Sequence, residues 1–244
     1  VIAVEQSRYD NISADVRQVY TDVAKRLVAR HLPLLSDVFG QRSVTSAGSQ
    51  QTLFVLGGVP ENHAAIQSDG TTTRGFVEGS FNAERPDLYG LFFSLAHELT
   101  HLEQFRYAWE LDPAGRVRNN AQMLGYWGIP PWSSEGGADF LACESLREEA
   151  GVPWAANLVL DFTSSSVIRN YSTCLRDGAG SIDTGYSSGS KYMRTLSEYL
   201  VTKGASVETA RREIARGSLE GWFGIDDANM HFTGLTRRVT TLSG

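Results

Sequence analysis

Cysteine is nearly absent from this chain: Cys143 and Cys174 are the only two among 244 residues. Neither stands in a C-x-x-C spacing, so a metal site built on cysteine is not expected. The two positions bracket one segment of the candidate site described below, and a single disulfide between them is the expectation, which would imply an oxidising compartment. Two buried free thiols are the alternative. Apolar runs long enough to cross a membrane are also missing. Val1-Ile2-Ala3-Val4 is followed at once by Glu5 and Arg8, which does not read as a secretory leader. An excess of positive charge is lacking too: the net charge is −6, which argues against nucleic acid as the main partner. The basic pairs Arg211-Arg212 and Arg237-Arg238 read as solvated helix faces, and the scarcity of lysine beside arginine reads as genomic bias. There are no internal repeats and no low-complexity segments. What remains, 41% apolar and 20% charged, is the composition of a globular protein with ample length for a large core.

Against that background one stretch stands out. Ala96-His97-Glu98-Leu99-Thr100-His101 has the form H-E-x-x-H, the signature of zinc hydrolases. On a helix the two histidines are one turn apart, so both imidazoles leave the same face and can bind one ion. Glu98 follows the first histidine directly, where its carboxylate can take a proton from a metal-bound water. A half-exposed surface pair of histidines is the plainer reading. However, Leu91-Phe92-Phe93-Ser94-Leu95-Ala96 runs straight into the motif, so the helix is expected to be apolar and buried. Polar side chains there would be costly unless a metal satisfied them.

The flanking chain reads as follows. Residues Ser13 to His31 carry one apolar stripe, Val16, Val19, Tyr20, Val23 and Leu27, with Ser13 as cap and Pro33 after the end. Ser43 to Gln51 reads as a loop. Strands are expected at Thr52–Leu56, Ala64–Gln67 and Arg74–Phe81, with Asp69-Gly70 as a turn. The motif helix should span Leu88 to Trp109 and end at Asp112-Pro113. A second helix, capped by Ser133 or Ser134, carries Glu135, Asp139 and Glu144 and stops near Gly151. Pro153–Phe162 and Ser166–Tyr171 look weakly helical. Arg176 to Ser190 reads as a Gly/Ser-rich loop, followed by helices at Lys191–Lys203 and Val207–Arg216, the latter capped by Ser206.

A catalytic zinc usually takes three protein ligands and keeps one position for water. The candidates for the third are His31, His63, His231 and the carboxylates. Glu135 is favoured among them, because Gly136 and Gly137 let its helix approach another closely. Asp139, one turn later, could hydrogen-bond the free nitrogen of a ligating histidine and fix its orientation. A solvated carboxylate at a helix N-terminus is the alternative for Glu135.

Together, Ala96-His97-Glu98-Leu99-Thr100-His101 and Pro130-Pro131-Trp132-Ser133-Ser134-Glu135-Gly136-Gly137-Ala138-Asp139 resemble the gluzincin metallopeptidases. The resemblance implies His97, His101 and Glu135 as zinc ligands and Glu98 as general base. Thermolysin-like members carry an aspartate where Asp139 stands. Tyr186-Ser187-Ser188-Gly189 is similar to the Tyr-x-x-Gly stretch of aminopeptidase-N-like gluzincins, which implies Tyr186 as the donor to the oxyanion, a task a phenol beside zinc suits. Tyr192 and His231 are alternatives for that task. Gly75-Phe76-Val77-Glu78-Gly79 partly resembles the strand that lines the cleft of those aminopeptidases. Val77 and Gly79 depart from its pattern, so an amine-binding role for Glu78 is not carried over, whereas pairing of the strand with extended substrate is. Asp226 and His231 match the thermolysin pattern only loosely.

The resulting expectation is an α+β, zincin-like domain of two lobes about a cleft. Residues 1–110 would form an N-lobe with a small sheet and the motif helix, and residues 111–244 a helical C-lobe that supplies Glu135 and Tyr186. The expected activity is zinc-dependent hydrolysis of peptide bonds on a peptide or protein substrate, with a secreted or periplasmic location. Two other readings stand beside it: a zinc-binding scaffold or adhesion module without turnover, and a zinc hydrolase of a non-peptide bond.

Overall fold

The structure is a computed structural model that describes residues 2–4, 10–40, 53–57, 63–68, 73–80, 87–111, 131–150 and 186–219. The expected helices at Pro153–Phe162 and Ser166–Tyr171, the loop at Ser43–Gln51, the Asp69-Gly70 turn and the stop at Asp112-Pro113 lie outside the described residues.

Strand β1 (Ile2–Val4) precedes helix α1 (Ala14–Arg26). Ser13 caps α1, its Oγ accepting from the Val16 amide at 3.3 Å, and Asp15 and Arg26 place charge where the helix dipole favours it. Val16, Val19, Tyr20 and Val23 form the buried stripe. The chain does not stop before Pro33. It passes through a π-helical turn, Leu27–His31, into helix α2 (Leu32–Phe39). Proline is tolerated in the first turn of α2 because an amide there has no intrahelical acceptor. Gly40, with φ at 88°, ends the run in a conformation that a side chain would strain.

Strands β2 (Leu53–Gly57), β3 (His63–Ser68) and β4 (Thr73–Ser80) join β1 in one sheet of order β1-β2-β4-β3. β1–β2 and β2–β4 are parallel; β3–β4 is antiparallel. Val77 stands between Phe54 on one side and Ala64 on the other. This corrects the expectation that the Gly75–Gly79 strand pairs with substrate. β4 is interior, its ladder filled from both sides, and the edge strands among the described residues are β1 and β3.

Helix α3 (Leu88–Leu111) carries the motif. Asp87 opens it: its Oδ2 accepts from the Gly90 amide at 2.8 Å and its carbonyl from the Leu91 amide at 2.9 Å. Helix α4 (Pro131–Ala150) starts earlier than the serines predict, with proline at its first position. Cys143 on α4 is disulfide-bonded, and the chain's other cysteine, Cys174, lies outside the described residues. Helix α5 (Tyr186–Thr202) also begins earlier than expected, so Tyr186 to Ser190 are helix and not loop. Helix α6 (Val207–Leu219) is capped by Ser206, whose Oγ accepts from the Thr209 amide at 3.1 Å.

The expectation of an α+β, two-lobed fold is overturned. The described chain is predominantly helical, and its main hydrophobic cluster runs through α1, α2, α3, α4, α5 and α6, from Val19 to Leu219, with a smaller one of Ile12, Val16 and Tyr20 beside it. Val77 of β4 is buried with these helices. The apolar faces of α3 and α4 are satisfied by each other and by α5, so nothing divides the described helices into lobes.

Buried charge crosses this helical assembly. Glu144 on α4 is 1% exposed and accepts from Arg194 of α5 at 2.6 Å and Arg147 at 2.9 Å, with Arg211 of α6 at 4.0 Å. Arg211 reaches Glu148 at 2.7 Å, and Arg212 reaches Asp37 of α2 at 3.5 Å. Removing one member of a buried ion cluster leaves its partners desolvated and uncompensated. Glu144→Ala is therefore expected to cost about 3–5 kcal/mol, read from the urea midpoint at an unchanged slope. A loss under about 1 kcal/mol would show that the arginines find other partners.

Candidate metal centre

His97 and His101 lie one turn apart on α3 and their rings meet edge to face, centroids 4.6 Å apart. Their Nε2 atoms are 3.0 Å from each other. Glu135, in the first part of α4, brings Oε2 to 3.0 Å from His101 Nε2 and 3.3 Å from His97 Nε2. These three residues form a group that could hold a metal ion. Ligand atoms bonded at about 2.0–2.1 Å around a tetrahedral ion stand roughly 3.3–3.4 Å from one another, close to the triangle seen here.

The far sides of the two rings are tied down differently. His97 Nδ1 donates to Asp139 Oδ1 at 2.7 Å. His101 Nδ1 donates to Gln104 Oε1 at 2.8 Å. The amide of Gln104 can face only one way, because its Nε2 donates to the Ser134 carbonyl at 2.9 Å. Each ring thus carries its proton on Nδ1 and turns an Nε2 lone pair inward. Two imidazole lone pairs and a carboxylate oxygen then converge on one point, an arrangement that repels itself unless a positive charge sits between them. That fits a cation.

The electrostatics agree. Burial works against charge on His97, but hydrogen bonds with Asp139 and Glu135 and the charges of Asp139 and Glu98 outweigh it and raise its pKa to about 9. Burial also opposes charge on Glu135, yet hydrogen bonds from His101 and His97, with their charges, hold its carboxyl well below the usual range. A proton on His97 occupies the electrostatic place a metal would take.

Close approach of α4 to α3 depends on Gly137. A Cβ there would stand 2.9 Å from Gln104 Nε2 and 3.5 Å from Met193 Cε. Gln104 is pinned at both ends, so it cannot yield without releasing His101. Both histidines are buried, while Glu135 and Glu98 are half-buried.

The structure therefore brings together His97, His101, Glu135 and Asp139, with Glu98 beside them. Tyr186 is the first residue of α5, and its side chain and that of Tyr192 lie outside the described residues. His231 and Asp226 lie outside them as well. Of the other candidate third ligands, His31 is wholly buried with both ring nitrogens bonded to hydroxyls elsewhere. His63 opens β3 with its side chain undescribed, and Glu78 sits on β4 opposite His63 and Val55. Gln104 was not expected. Its spacing of three residues from His101 is the only sequence signal that could have found it. No protein-family model, no curated protein and no solved structure matches this chain.

Metal binding must displace the proton that His97 holds below about pH 9. The apparent metal affinity is thus expected to rise about tenfold per pH unit between about pH 6.5 and about pH 8.5, then level off. Competition against a chelating dye at fixed ionic strength measures it, and a flat profile would mean that no such proton is there.

Proposed function

We propose that the chain is a zinc-dependent peptidase of the gluzincin type. The observation that carries this reading is the convergence of His97 Nε2, His101 Nε2 and Glu135 Oε2, contributed by two helices, with Glu98 directly after His97 in the chain. Two imidazole nitrogens and a carboxylate oxygen at the spacing of tetrahedral ligands suit zinc, which in catalytic sites takes three protein ligands and one water. When bound, zinc supplies Lewis acidity toward a carbonyl oxygen and makes water a competent nucleophile at neutral pH.

The chain's own residues do the rest. Glu98 accepts a proton from the attacking water and passes it to the departing amine, so one carboxylate serves as base and then as acid. Asp139 and Gln104 keep the rings aligned while charge shifts across the centre. Tyr186 is assigned the donor to the oxyanion, on the resemblance to the Tyr-x-x-Gly stretch. Strand β3, an edge strand among the described residues that packs against α3, is where an extended peptide would add to the sheet. The disulfide at Cys143 supports a secreted or periplasmic location.

Glu98→Gln keeps the size of the side chain and removes the base. Zinc content is expected to stay at the wild-type level while cleavage of a mixed peptide pool, followed by mass spectrometry, falls by at least about a hundredfold. Bound zinc with no peptide cleaved by the wild-type chain would favour a scaffold without turnover and overturn the proposal.

A further inference from the structure

His31 is fully buried and belongs to neither helix of the metal centre, yet it touches both. Its Nδ1 lies 2.7 Å from Ser145 Oγ on α4, and its Nε2 lies 3.1 Å from Thr100 Oγ1 on α3, the residue directly before His101. The π-helical turn puts it there. Closing the Leu32 amide onto the Leu27 carbonyl inserts one residue into the winding and turns His31 inward between the two helices.

Neither hydroxyl needs the ring. Thr100 Oγ1 already donates to the Ala96 carbonyl at 2.9 Å, and Ser145 Oγ to the Leu141 carbonyl at 3.2 Å. The ring, in contrast, needs both hydroxyls, because an imidazole in a dry core is costly without partners. Burial keeps the ring neutral, offset in part by its bond to the Ala96 carbonyl and reinforced by the charge of His97, with a pKa lowered to about 3. A neutral ring donates from one nitrogen and accepts at the other. One hydroxyl therefore accepts from the ring, and the other leaves its carbonyl to donate to it, so the ring is bonded to both helices in either tautomer.

We infer that His31 is a positioning residue, a buried strut that holds α3 and α4 at the separation at which His97, His101 and Glu135 close on one ion. The inference rests on the metal-centre reading above. An apolar residue of similar volume fills the same space and leaves both hydroxyls satisfied, so it preserves packing and removes only the tie.

The test uses the full chain with His31→Leu, His31→Gln and Ser145→Ala, and Leu200→Ala on α5 as a control that loses stability away from the strut. Zinc affinity is read by chelator competition, and the visible absorption of the cobalt(II)-loaded protein reports the ligand geometry. His31→Leu is expected to lose about tenfold in zinc affinity and to weaken and shift the cobalt bands. Ser145→Ala is expected to lose less, and His31→Gln to recover part of the loss. Leu200→Ala should leave affinity and spectrum at wild-type values despite unfolding more easily. Wild-type affinity and spectrum in His31→Leu would overturn the strut, as would an equal loss in Leu200→Ala. If His31→Leu does not fold, Ser145→Ala decides alone, since it removes one arm of the tie and no ring. A wild-type chain that takes up neither zinc nor cobalt would overturn the metal centre itself, an outcome separate from the others.

Discussion

Three lone pairs pointing at one another are the constraint on which this structure turns. Nothing stabilises two imidazole nitrogens and a carboxylate oxygen about 3 Å apart except a positive charge among them. In the absence of a cation a proton on His97 serves, which is why that ring is so basic and Glu135 so acidic. The surrounding chain keeps the donors from relaxing apart. Asp139 and Gln104 lock the rings from behind, and the missing side chain at Gly137 lets α4 come near enough for Gln104 to reach Ser134. The site is held by its setting and not by the ion alone.

Helix α4 bears most of that setting. It supplies Glu135 and Asp139 to the centre, Ser145 to the buried histidine and Glu144 to the arginine cluster, so successive turns address α3, the π-helical turn, α5 and α6. The polar groups on α4 are buried because they are paired, and the pairing fixes the register of the helix against its neighbours. An apolar α4 would pack as tightly but could slide. The hydrogen bonds convert a well-filled core into a single placement of Glu135.

The metal centre was legible in the sequence because its parts are local or periodic. The histidines are one turn apart, Glu98 is adjacent to one of them, and Asp139 follows Glu135 by a turn, so helical geometry aligns each pair, whereas the meeting of the two helices was expected from Gly136, Gly137 and the resemblance. What was not legible depends on where distant elements come to rest. Gln104 gains meaning only once the Ser134 carbonyl is known to lie beside it. His31 read as one more residue at the end of a helix, because a π-helical insertion leaves no trace in a pattern of apolar residues. Pro33 read as a stop, although the same residue opens a new helix equally well. The serines and glycine after Tyr186 read as a loop, but α5 is helical through them, with Ser190 and Met193 packed into the core. The two-lobed expectation failed for the same reason: periodicity shows that a helix has an apolar face, and says nothing about which helix covers it.

The difference between the two outer partners carries a further argument about charge. His97 is backed by a carboxylate and His101 by a neutral amide. A divalent ion with Glu135 and Asp139 sums to zero, whereas a second carboxylate in place of Gln104 would leave the buried assembly negative. Low-dielectric surroundings penalise net charge far more than they penalise neutral groups of separated charges. A monovalent ion would also leave the sum negative, so the donor set matches a dication in charge as well as in geometry. Glu98, half-buried and next to His97 in the chain, adds its charge to those that raise the His97 pKa and is counted apart from the groups that contact the two rings.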